Sequence, residues 1–595
     1  MKSLCAAVLL LLLPCLCSGE EVALSPSKQL YDREGLLLRS ILSQNNTYYE
    51  PVTLDQISPW LISAVVAAED KRFYTHSGVD MAAILRATWQ NTQEGKVVSG
   101  ASTITQQLAR AITPRSKTLW GKTKEALDAT QLEKKYTKEE ILEQYFNLLE
   151  FGNLTQGVQA ASRFYFNTDA ADVSLSQAAF LSGILKSPTY YNPLKHFERA
   201  LKRRDYVLKE LYENGFINDE MYRLALEEKI VLQPAPRPFY APHFAQFLSA
   251  YLPAQDTQIH TTLDRELQTQ VEQIIKNNLA RLTQSNVTNA AVIVVDNASG
   301  GILAYAGSAD FKDKKHSGQV DGVRALRQPG SALKPFVYAL AFAENKLMPA
   351  TLLADEDTFF EGGFRPRNYD ETFHGLVSVR EALANSYNIP AVKAAEKIGT
   401  TQLLAFLHQL GFSSLTKSAD FYGLGLALGN GEVKLLELAN AYATLGRGGI
   451  FKPLVLATSP EVKLPGKTTR VLDEKTAYLI SNILADNQAR SAAFGLNSAL
   501  SMPFEMAAKT GTSKDYKDNF ALGYTPRWTV GVWVGNFDAT PMQKVSGVTG
   551  AGPILHEIAL FMQQKYPSGP FEEPKGIVRR TVCMESGLLA SPGCT

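Results

Sequence analysis

Pro234, Pro236, Pro238 and Pro242 crowd one short stretch of the chain, and the hydrophobic period changes across it. Each proline removes a backbone donor and disfavours helix at the residue before it, so neither a helix nor a strand propagates easily through such a stretch. At 595 residues the chain is also too long for one hydrophobic core, and two or more domains are expected. Upstream, from Ile57 to about Glu228, the pattern is helical almost throughout. Helices are predicted over Pro59–Ala68, Asp80–Gln93 and Ser102–Ala111; Thr137-Lys138-Glu139-Glu140 is a capping box opening a helix to Leu149, and Ser174-Leu175-Ser176-Gln177 opens the next. Strand-like alternation is nearly absent there. Downstream, a helix over Asp264–Leu282 precedes strand-like runs at Ala290–Val295 and Gly301–Ala306, and a late hairpin pattern joins Phe520–Tyr524 to Trp528–Asn536. The expected fold class is therefore multidomain, an α-helical domain followed by an α/β (α+β) domain. The expected boundaries are 1–19 for a leader, 20–232 for the helical domain, 233–260 for a linker, 261–570 for the α/β domain and 571–595 for a tail.

Apolar residues make up 45% of the chain and charged residues 20%, an ordinary globular balance. The formal net charge of +1 carries no basic footprint, and no nucleic-acid partner is expected. Lys2 precedes an apolar run from Leu4 to Cys17, broken by Pro14 and followed by Ser18-Gly19-Glu20. That run is shorter than the roughly 20 residues a bilayer span needs, so it reads as a cleaved signal peptide, with a short membrane anchor as the alternative. Either way the mature chain is exported. Cys5, Cys15 and Cys17 lie in the leader, which leaves Cys583 and Cys594. Oxidised, that pair would form a disulfide worth roughly 3 kcal/mol of local constraint; a frayed tail with two thiols is the other reading. No His lies in that segment and no metal site is expected from it.

The stretch Arg327-Gln328-Pro329-Gly330-Ser331-Ala332-Leu333-Lys334-Pro335-Phe336 places a hydroxyl and an amine three residues apart behind a Pro-Gly turn. On a helix they share a face, and the amine can take the serine proton during attack on a carbonyl. To do so Lys334 must lose its charge: a depression of roughly three pKa units, about 4 kcal/mol, must come from burial or cationic neighbours. Alone, Ser-x-x-Lys also occurs on many surface helices. Two later stretches, Asn385-Ser386-Tyr387-Asn388 and Lys509-Thr510-Gly511-Thr512, complete an ordered set, Ser-x-x-Lys, Ser-x-Asn, Lys-Thr-Gly, that resembles the serine penicillin-recognising enzymes. Ser386 and Asn388 offer a hydroxyl and an amide to relay a proton and hold a peptide. Lys509 supplies a fixed cation for a carboxylate and for lowering the pKa of Lys334, and Gly511 lets a substrate backbone approach the strand closely. By resemblance, the amides of Ser331 and Thr512 form an oxyanion hole, and Thr510 and Thr512 bind a terminal carboxylate with Lys509.

In the helical half, Glu69-Asp70-Lys71-Arg72-Phe73-Tyr74-Thr75-His76-Ser77-Gly78 puts two carboxylates at the end of an apolar helix. Partial burial there would raise a carboxylate pKa toward the range of a general base, although a solvated helix end is the plainer reading of the pair. With Gly100-Ala101-Ser102-Thr103-Ile104-Thr105-Gln106-Gln107, it looks like the first two motifs of the peptidoglycan glycosyltransferases of the lysozyme-like fold. Lys138-Glu139-Glu140-Ile141-Leu142-Glu143-Gln144-Tyr145-Phe146-Asn147 resembles their fourth motif, and Arg203-Arg204-Asp205-Tyr206-Val207-Leu208 their fifth. Joined to the downstream motifs, the layout resembles a class A, bifunctional penicillin-binding protein. The stretches Phe151-Gly152-Asn153-Leu154-Thr155-Gln156-Gly157 and Pro329–Phe336 lean toward the 1C-type branch.

The resemblance implies a lysozyme-like glycosyltransferase domain and a β-lactamase-like transpeptidase domain. Together they would polymerise lipid II into glycan strands and crosslink stem peptides through an acyl-serine intermediate. Glu69 would be the base for the acceptor hydroxyl and Glu125 the second carboxylate. Arg110 and Lys122 would face the lipid diphosphate, an ordinary solvated helix face being the alternative for both. Asp70, Phe73, His76, Gly78, Thr103 and Asn147 would bind substrate, and Ser102, Gln106 and Gln107 would line the sugar sites or position the helix carrying them. In the second domain Ser331, Lys334, Ser386, Asn388 and Lys509 would be catalytic. The implied partners are lipid II and the growing glycan chain, stem peptides, β-lactams as inhibitors, a membrane surface and other wall-synthesis proteins. The implied location is the periplasmic face of the inner membrane. No cofactor is implied for acyl transfer; a divalent cation, Mg or Mn, is the candidate cofactor for polymerisation.

The sequence departs from the family in places. The third motif usually begins Arg-Lys but reads Gly121-Lys122-Thr123-Lys124-Glu125 here. Membrane contact falls to the apolar residues around Ile84 to Trp89, which a buried core helix explains equally well. The 1C-type branch often carries a further C-terminal domain, and the end at Thr595 reads as a natural short form or a truncation. A monofunctional enzyme, polymerase or carboxypeptidase, and a non-catalytic scaffold remain the other function classes.

Overall fold

The computed structural model describes residues 25–94, 101–114, 118–234, 237–253, 256–459, 462–583 and 586–590. The expected leader, Gly100 and Cys594 lie outside the described residues, and with Cys594 so does the expected disulfide. The chain divides into two compact units, one formed mainly by residues 40–237 and the other by 29–39 with 238–595.

The first unit is built around the helix Pro59–Glu69, whose Leu61, Ala64, Val65, Val66 and Ala67 are all buried. A helix apolar on every side must sit inside a core. Phe73, Ile104, Leu108, Ile141, Tyr145, Phe146 and Phe180 close around it. The predicted capping boxes at Thr137 and Ser174 open Lys138–Leu148 and Leu175–Leu185, and a third at Thr103 opens Ile104–Ile112. This half does contain strands: Tyr48–Tyr49, Glu150–Gly152 and Thr155–Gln156 form a small sheet. Its hairpin turns through Asn153 and Leu154, both at positive φ, a two-residue connection too short to leave an alternating pattern in the sequence.

The second unit centres on a five-stranded sheet in the order Ala507–Thr512, Asp518–Tyr524, Trp528–Gly535, Asn289–Asp296, Ile302–Ala306. All its ladders are antiparallel. Every residue of Trp528–Gly535 is buried, so the strand reads as a continuous apolar run. One face packs on Arg265–Arg281 and Ala551–Lys565 through Val271, Ile275, Leu555 and Ile558. The other takes Leu435–Gly446, whose Leu435 and Ala439 lie where a side chain at Gly531 would stand.

Two features depart from the sequence-based boundaries. The stretch 233–260 is more than a linker: it folds into the helix Pro242–Ser249, with Phe244, Phe247 and Leu248 buried, and the strand Gln258–His260. Residues 29–39 belong to the second unit, because Lys28–Tyr31 pairs in parallel with Gln258–His260 and is itself flanked by Leu37–Ile41.

Candidate active sites

In the first unit, Glu69 ends the central helix with its side chain only 9% exposed. The Gln107 amide donates to Glu69 Oε2 at 2.9 Å, and the Tyr145 hydroxyl fixes that amide by donating to Gln107 Oε1 at 3.2 Å. The Arg203 guanidinium stands 3.9 Å from Glu69 Oε1, a buried oxygen that accepts no hydrogen bond among the described residues. A buried carboxylate oxygen without a donor is costly to maintain, and it leaves one lone-pair site for an incoming hydroxyl. Burial, and the anions Glu69 and Asp70, push the Tyr145 phenol well above its ordinary range, so it stays a neutral donor.

Glu125 is nearly buried and held by two cations. Arg110 donates from Nε and Nη2 at 3.1 and 3.2 Å, and Lys122 Nζ at 2.7 Å. Lys122 also reaches Ser102 Oγ at 3.2 Å. The two cations are 40% and 46% exposed, so each keeps a wet side on which a diphosphate can be met. Lys122 and Glu125 share one motif and lie one helical turn apart on Leu119–Lys135; the fold adds Arg110, from Ile104–Ile112, to the same carboxylate.

Other motif residues expected at the substrate are framework. Phe73 is fully buried beneath the Lys138 ammonium, 4.3 Å from its ring centroid. Asp70 Oδ2 accepts the Ile104 N–H at 3.0 Å, and both Asp70 oxygens lie 3.0 Å from His76 Nε2. The Gly78 N–H donates to His76 Nδ1 at 3.2 Å, so the ring proton sits on Nε2 and is given to Asp70. Gly78 has φ +91°, and a Cβ there would meet the Ala129 carbonyl at 2.8 Å. Thr103 and Gln106 cap their own helix, and Thr103 Oγ1 donates to Gly78 O at 2.6 Å. Asn147 bonds both backbone groups of Val52. Asp70 and Thr103 tie the turn after Glu69 to Ile104–Ile112, while Asn147 ties its own helix to Val52.

A divalent cation fits this site poorly. Among the described residues no group of three or more His, Cys, Asp or Glu side chains could hold a metal. The oxygens of Asp70 and Glu125 are already taken by His76, a backbone amide, Arg110 and Lys122.

In the second unit a cleft of about 600 Å³ is lined by Ser331, Ser386, Asn388, Thr510 and Thr512 among others. Ser331 lies in the 3₁₀ turn Gly330–Leu333, which runs straight into Lys334–Ala343. That turn rests on the strand Ala507–Thr512. A Cβ on Gly511 would lie 2.1 Å from Pro329 O, and one on Gly330 would lie 2.5 Å from Thr512 O and 3.2 Å from Thr512 N. The close approach that Gly511 permits is therefore to the serine turn rather than to substrate. The contact brings the Ser331 and Thr512 backbones together at the head of the cleft.

Lys334 is fully buried, and its Nζ faces Ser386 O at 2.5 Å, Asn388 Oδ1 at 2.6 Å, Tyr387 O at 3.1 Å and Ser386 Oγ at 3.4 Å. Burial, and then the Lys509 charge, hold its pKa well below the ordinary lysine range, against an opposing pull from Asp355. Lys509 is buried as well, donating to Ser386 Oγ at 2.7 Å and to Thr510 O at 2.9 Å. Burial and the Arg490 guanidinium push it down to about 7. Ser386 Oγ thus bridges two buried amines, and Ser386 is held at φ +68°, a strained conformation for a side-chain-bearing residue. Lys509 is turned inward, so contact with a carboxylate falls to Thr510 and Thr512; Lys509 acts on the site through its field and through Ser386. Arg490 and Asp355 escaped the sequence reading because neither lies in a motif.

Burial of Lys509 makes stability depend on pH. Between about pH 7 and its ordinary value of 10.5 the unfolded chain carries a proton that the folded site lacks. Stability must therefore rise with pH across that window, and the full penalty, about 5 kcal/mol, is present below it. Replacing Lys509 by methionine is expected to raise the melting temperature at pH 7 and to flatten the rise toward pH 10, read as the difference between the two chains' melting curves.

The chain matches two family models, Transglycosylase over residues 34–212 and Penicillin binding protein transpeptidase domain over 290–540. It is 34% identical over 572 residues to penicillin-binding protein 1C of Escherichia coli, covering 96% of this chain and 72% of that one. It is 31% identical to penicillin-binding protein 1F of Bacillus subtilis, covering 88% and 75% of the two. The crystal structure of penicillin-binding protein 1A from Haemophilus influenzae superposes with a TM-score of 0.70 at 20% identity, covering 97% of this chain and 98% of that one.

Proposed function

The chain belongs to the class A, bifunctional penicillin-binding proteins, with peptidoglycan glycosyltransferase and D,D-transpeptidase activities, and from that premise we propose how its residues divide the work. For acyl transfer the observation that carries the reading is Ser331 on the cleft backed by two buried amines that share Ser386 Oγ. Lys334, as the free amine, takes the Ser331 proton while Oγ attacks the penultimate D-Ala carbonyl. The oxyanion is met by the Ser331 and Thr512 amides. Collapse breaks the peptide bond, and the proton returns through Ser386 to the nitrogen of the departing D-Ala. An amine on a neighbouring stem then attacks the ester and frees Ser331. Penicillin acylates the same oxygen.

For polymerisation, the bare Oε1 of Glu69 takes the proton of the acceptor 4-hydroxyl as that oxygen attacks the anomeric carbon of the growing chain. The bond to the lipid diphosphate breaks, and Arg110 and Lys122 meet the departing charge on their exposed sides. The substrate is lipid-linked, and the helix Met81–Glu94 offers a place for lipid. Met81, Leu85 and Trp89 are 64%, 69% and 63% exposed at four-residue spacing on one face, while Ala83 and Ala87 are buried on the other. An entirely buried helix does not account for that stripe. Among the described residues no helix is long and apolar enough to cross a membrane. On this reading the exported chain works at the outer face of the cytoplasmic membrane beside other wall-building proteins.

Purified protein given lipid-linked disaccharide-pentapeptide in vesicles should make crosslinked glycan, and penicillin should remove the crosslinks alone. Absence of chains while Ser331 still takes label would make the protein a monofunctional acyl-transfer enzyme.

A further inference from the structure

Ser386, Tyr387 and Asn388 supply every acceptor around the Lys334 amine, yet two of the three hold it through carbonyl oxygens and the turn they form is strained. Something outside the three motifs must fix that turn. The Asn388 N–H donates to Asn368 Oδ1 at 2.7 Å, and Asn388 Nδ2 donates to Arg367 O at 2.5 Å. Asn368 in turn donates to Asp355 Oδ2 at 2.7 Å and to Thr372 O at 2.9 Å. Asp355 is fully buried; the same oxygen accepts the His374 N–H at 3.0 Å and lies 2.7 Å from His374 Nδ1, while its other oxygen has no hydrogen-bond partner among the described residues. The His374 ring stacks on Tyr387 at 3.9 Å, and its Nε2 faces Asp370 Oδ2 at 3.1 Å. The contacts close a ring, Lys334 to Asn388 to Asn368 to Asp355 to His374 to Tyr387 and back to Lys334. Arg367, Asn368, Tyr369 and Asp370 of the same loop also line the cleft.

A buried carboxylate with one orphan oxygen is expensive, and Asp355 carries that cost while its other oxygen gathers the Asn368 amide and the His374 N–H and ring. We propose that Asp355, Asn368 and His374 are positioning residues of the acyl-transfer site, clamping the Ser386–Asn388 turn so that the Lys334 amine is held toward Ser331. The inference rests on the reading of Lys334 as the base. Asp355 has a second effect of known sign: its charge favours the protonated Lys334, opposing burial and Lys509. The charged and titratable groups facing the clamp are Lys334 and Lys509 across the turn, Asp370 beside the histidine, Glu381 near Tyr387, and the Tyr338 and Tyr387 phenols beside Asp355.

The test is the second-order rate constant for labelling of the full chain by a fluorescent penicillin, measured from pH 5 to 9. Asn368→Ala should slow labelling about tenfold or more with little change in its pH limb, as loss of an orienting hydrogen bond would. Asp355→Asn should move the acid limb to lower pH, by about half a unit or more, which a purely structural lesion would not do. His374→Ala should be slow and His374→Asn, which restores a donor near Nδ1, should recover most of the rate; this pair decides the matter if Asp355→Asn loses its native melting transition. A wild-type chain that takes no label overturns the acyl-transfer reading and the clamp with it. A labelled wild type whose Asn368→Ala and His374→Ala variants react at the same rate, with an unmoved limb in Asp355→Asn, overturns the clamp alone.

Discussion

Replacing Lys334 by methionine is expected to slow acylation of Ser331 by penicillin about 10²–10⁴-fold, the usual contribution of a positioned base, while glycan polymerisation continues at the wild-type rate. Methionine fills the same buried space but leaves the Ser386, Tyr387 and Asn388 oxygens without their donor, so a native melting transition and unchanged polymerisation are the controls that separate lost chemistry from a folding defect. Ser331→Ala should take no label at all. The informative comparison is the pH profile: the wild-type rate should rise with pH as Lys334 is freed of its proton, and Lys334→Met should lose that rise. Because burial and Lys509 depress the Lys334 pKa, the rise should fall well below the pH at which an exposed lysine titrates. Labelling of Lys334→Met at an undiminished rate would place the base elsewhere, with Lys509 through Ser386 as the next candidate.

The converse experiment is Glu69→Gln, expected to reduce polymerisation about 10²–10⁴-fold or more and to leave penicillin labelling untouched. Glutamine is isosteric, and its carbonyl oxygen can still accept the Gln107 hydrogen bond, so the turn should keep its shape. What it loses is the proton-accepting oxygen beside Arg203. Gln107→Ala should have a smaller effect, because it frees the carboxylate to rotate without abolishing it. The readout is chain formation from lipid-linked substrate, with labelling of Ser331 on the same sample as the control for an intact second unit. Chains formed by Glu69→Gln at the wild-type rate would remove Glu69 from the chemistry.

The helical half and the central strands were legible because their signals are local. Caps at Thr137 and Ser174 fall where the side-chain spacing puts them, and the run Trp528–Gly535 is apolar enough to be a buried strand on sight. The motif residues were legible as a set, but their division of labour was not. Phe73 shares a motif with Glu69, and Thr103, Gln106 and Asn147 lie in its companion motifs; their hydrogen bonds and burial, not their motif membership, mark them as bracing residues. Arg490, Asp355, Asn368 and His374 were invisible for a different reason. Asp355 ends the short strand Leu352–Asp355 and His374 sits just before its partner Gly375–Ser378, while Asn368 and Arg490 lie in turns and loops, and nothing in a period of two or 3.6 ties these positions to Lys334 or Lys509. The pairing of residues 28–31 with 258–260 was missed likewise: four residues of strand separated from their partner by more than two hundred positions leave no pattern to read.

That pairing bears on how the two activities can be inherited. Cleaving the gene at the proline-rich stretch looks like the natural way to separate polymerase from crosslinker. A product starting at Pro238 would nonetheless lack Lys28–Tyr31 and Arg33, leaving Gln258–His260 without its parallel neighbour and the Thr261 N–H and Leu263 carbonyl without their backbone partners. The crosslinking half is completed by a segment translated before the polymerase. A fission at that stretch therefore strips the crosslinking half of a strand of its own unit, whereas the intact gene delivers the two catalysts in a fixed one-to-one ratio.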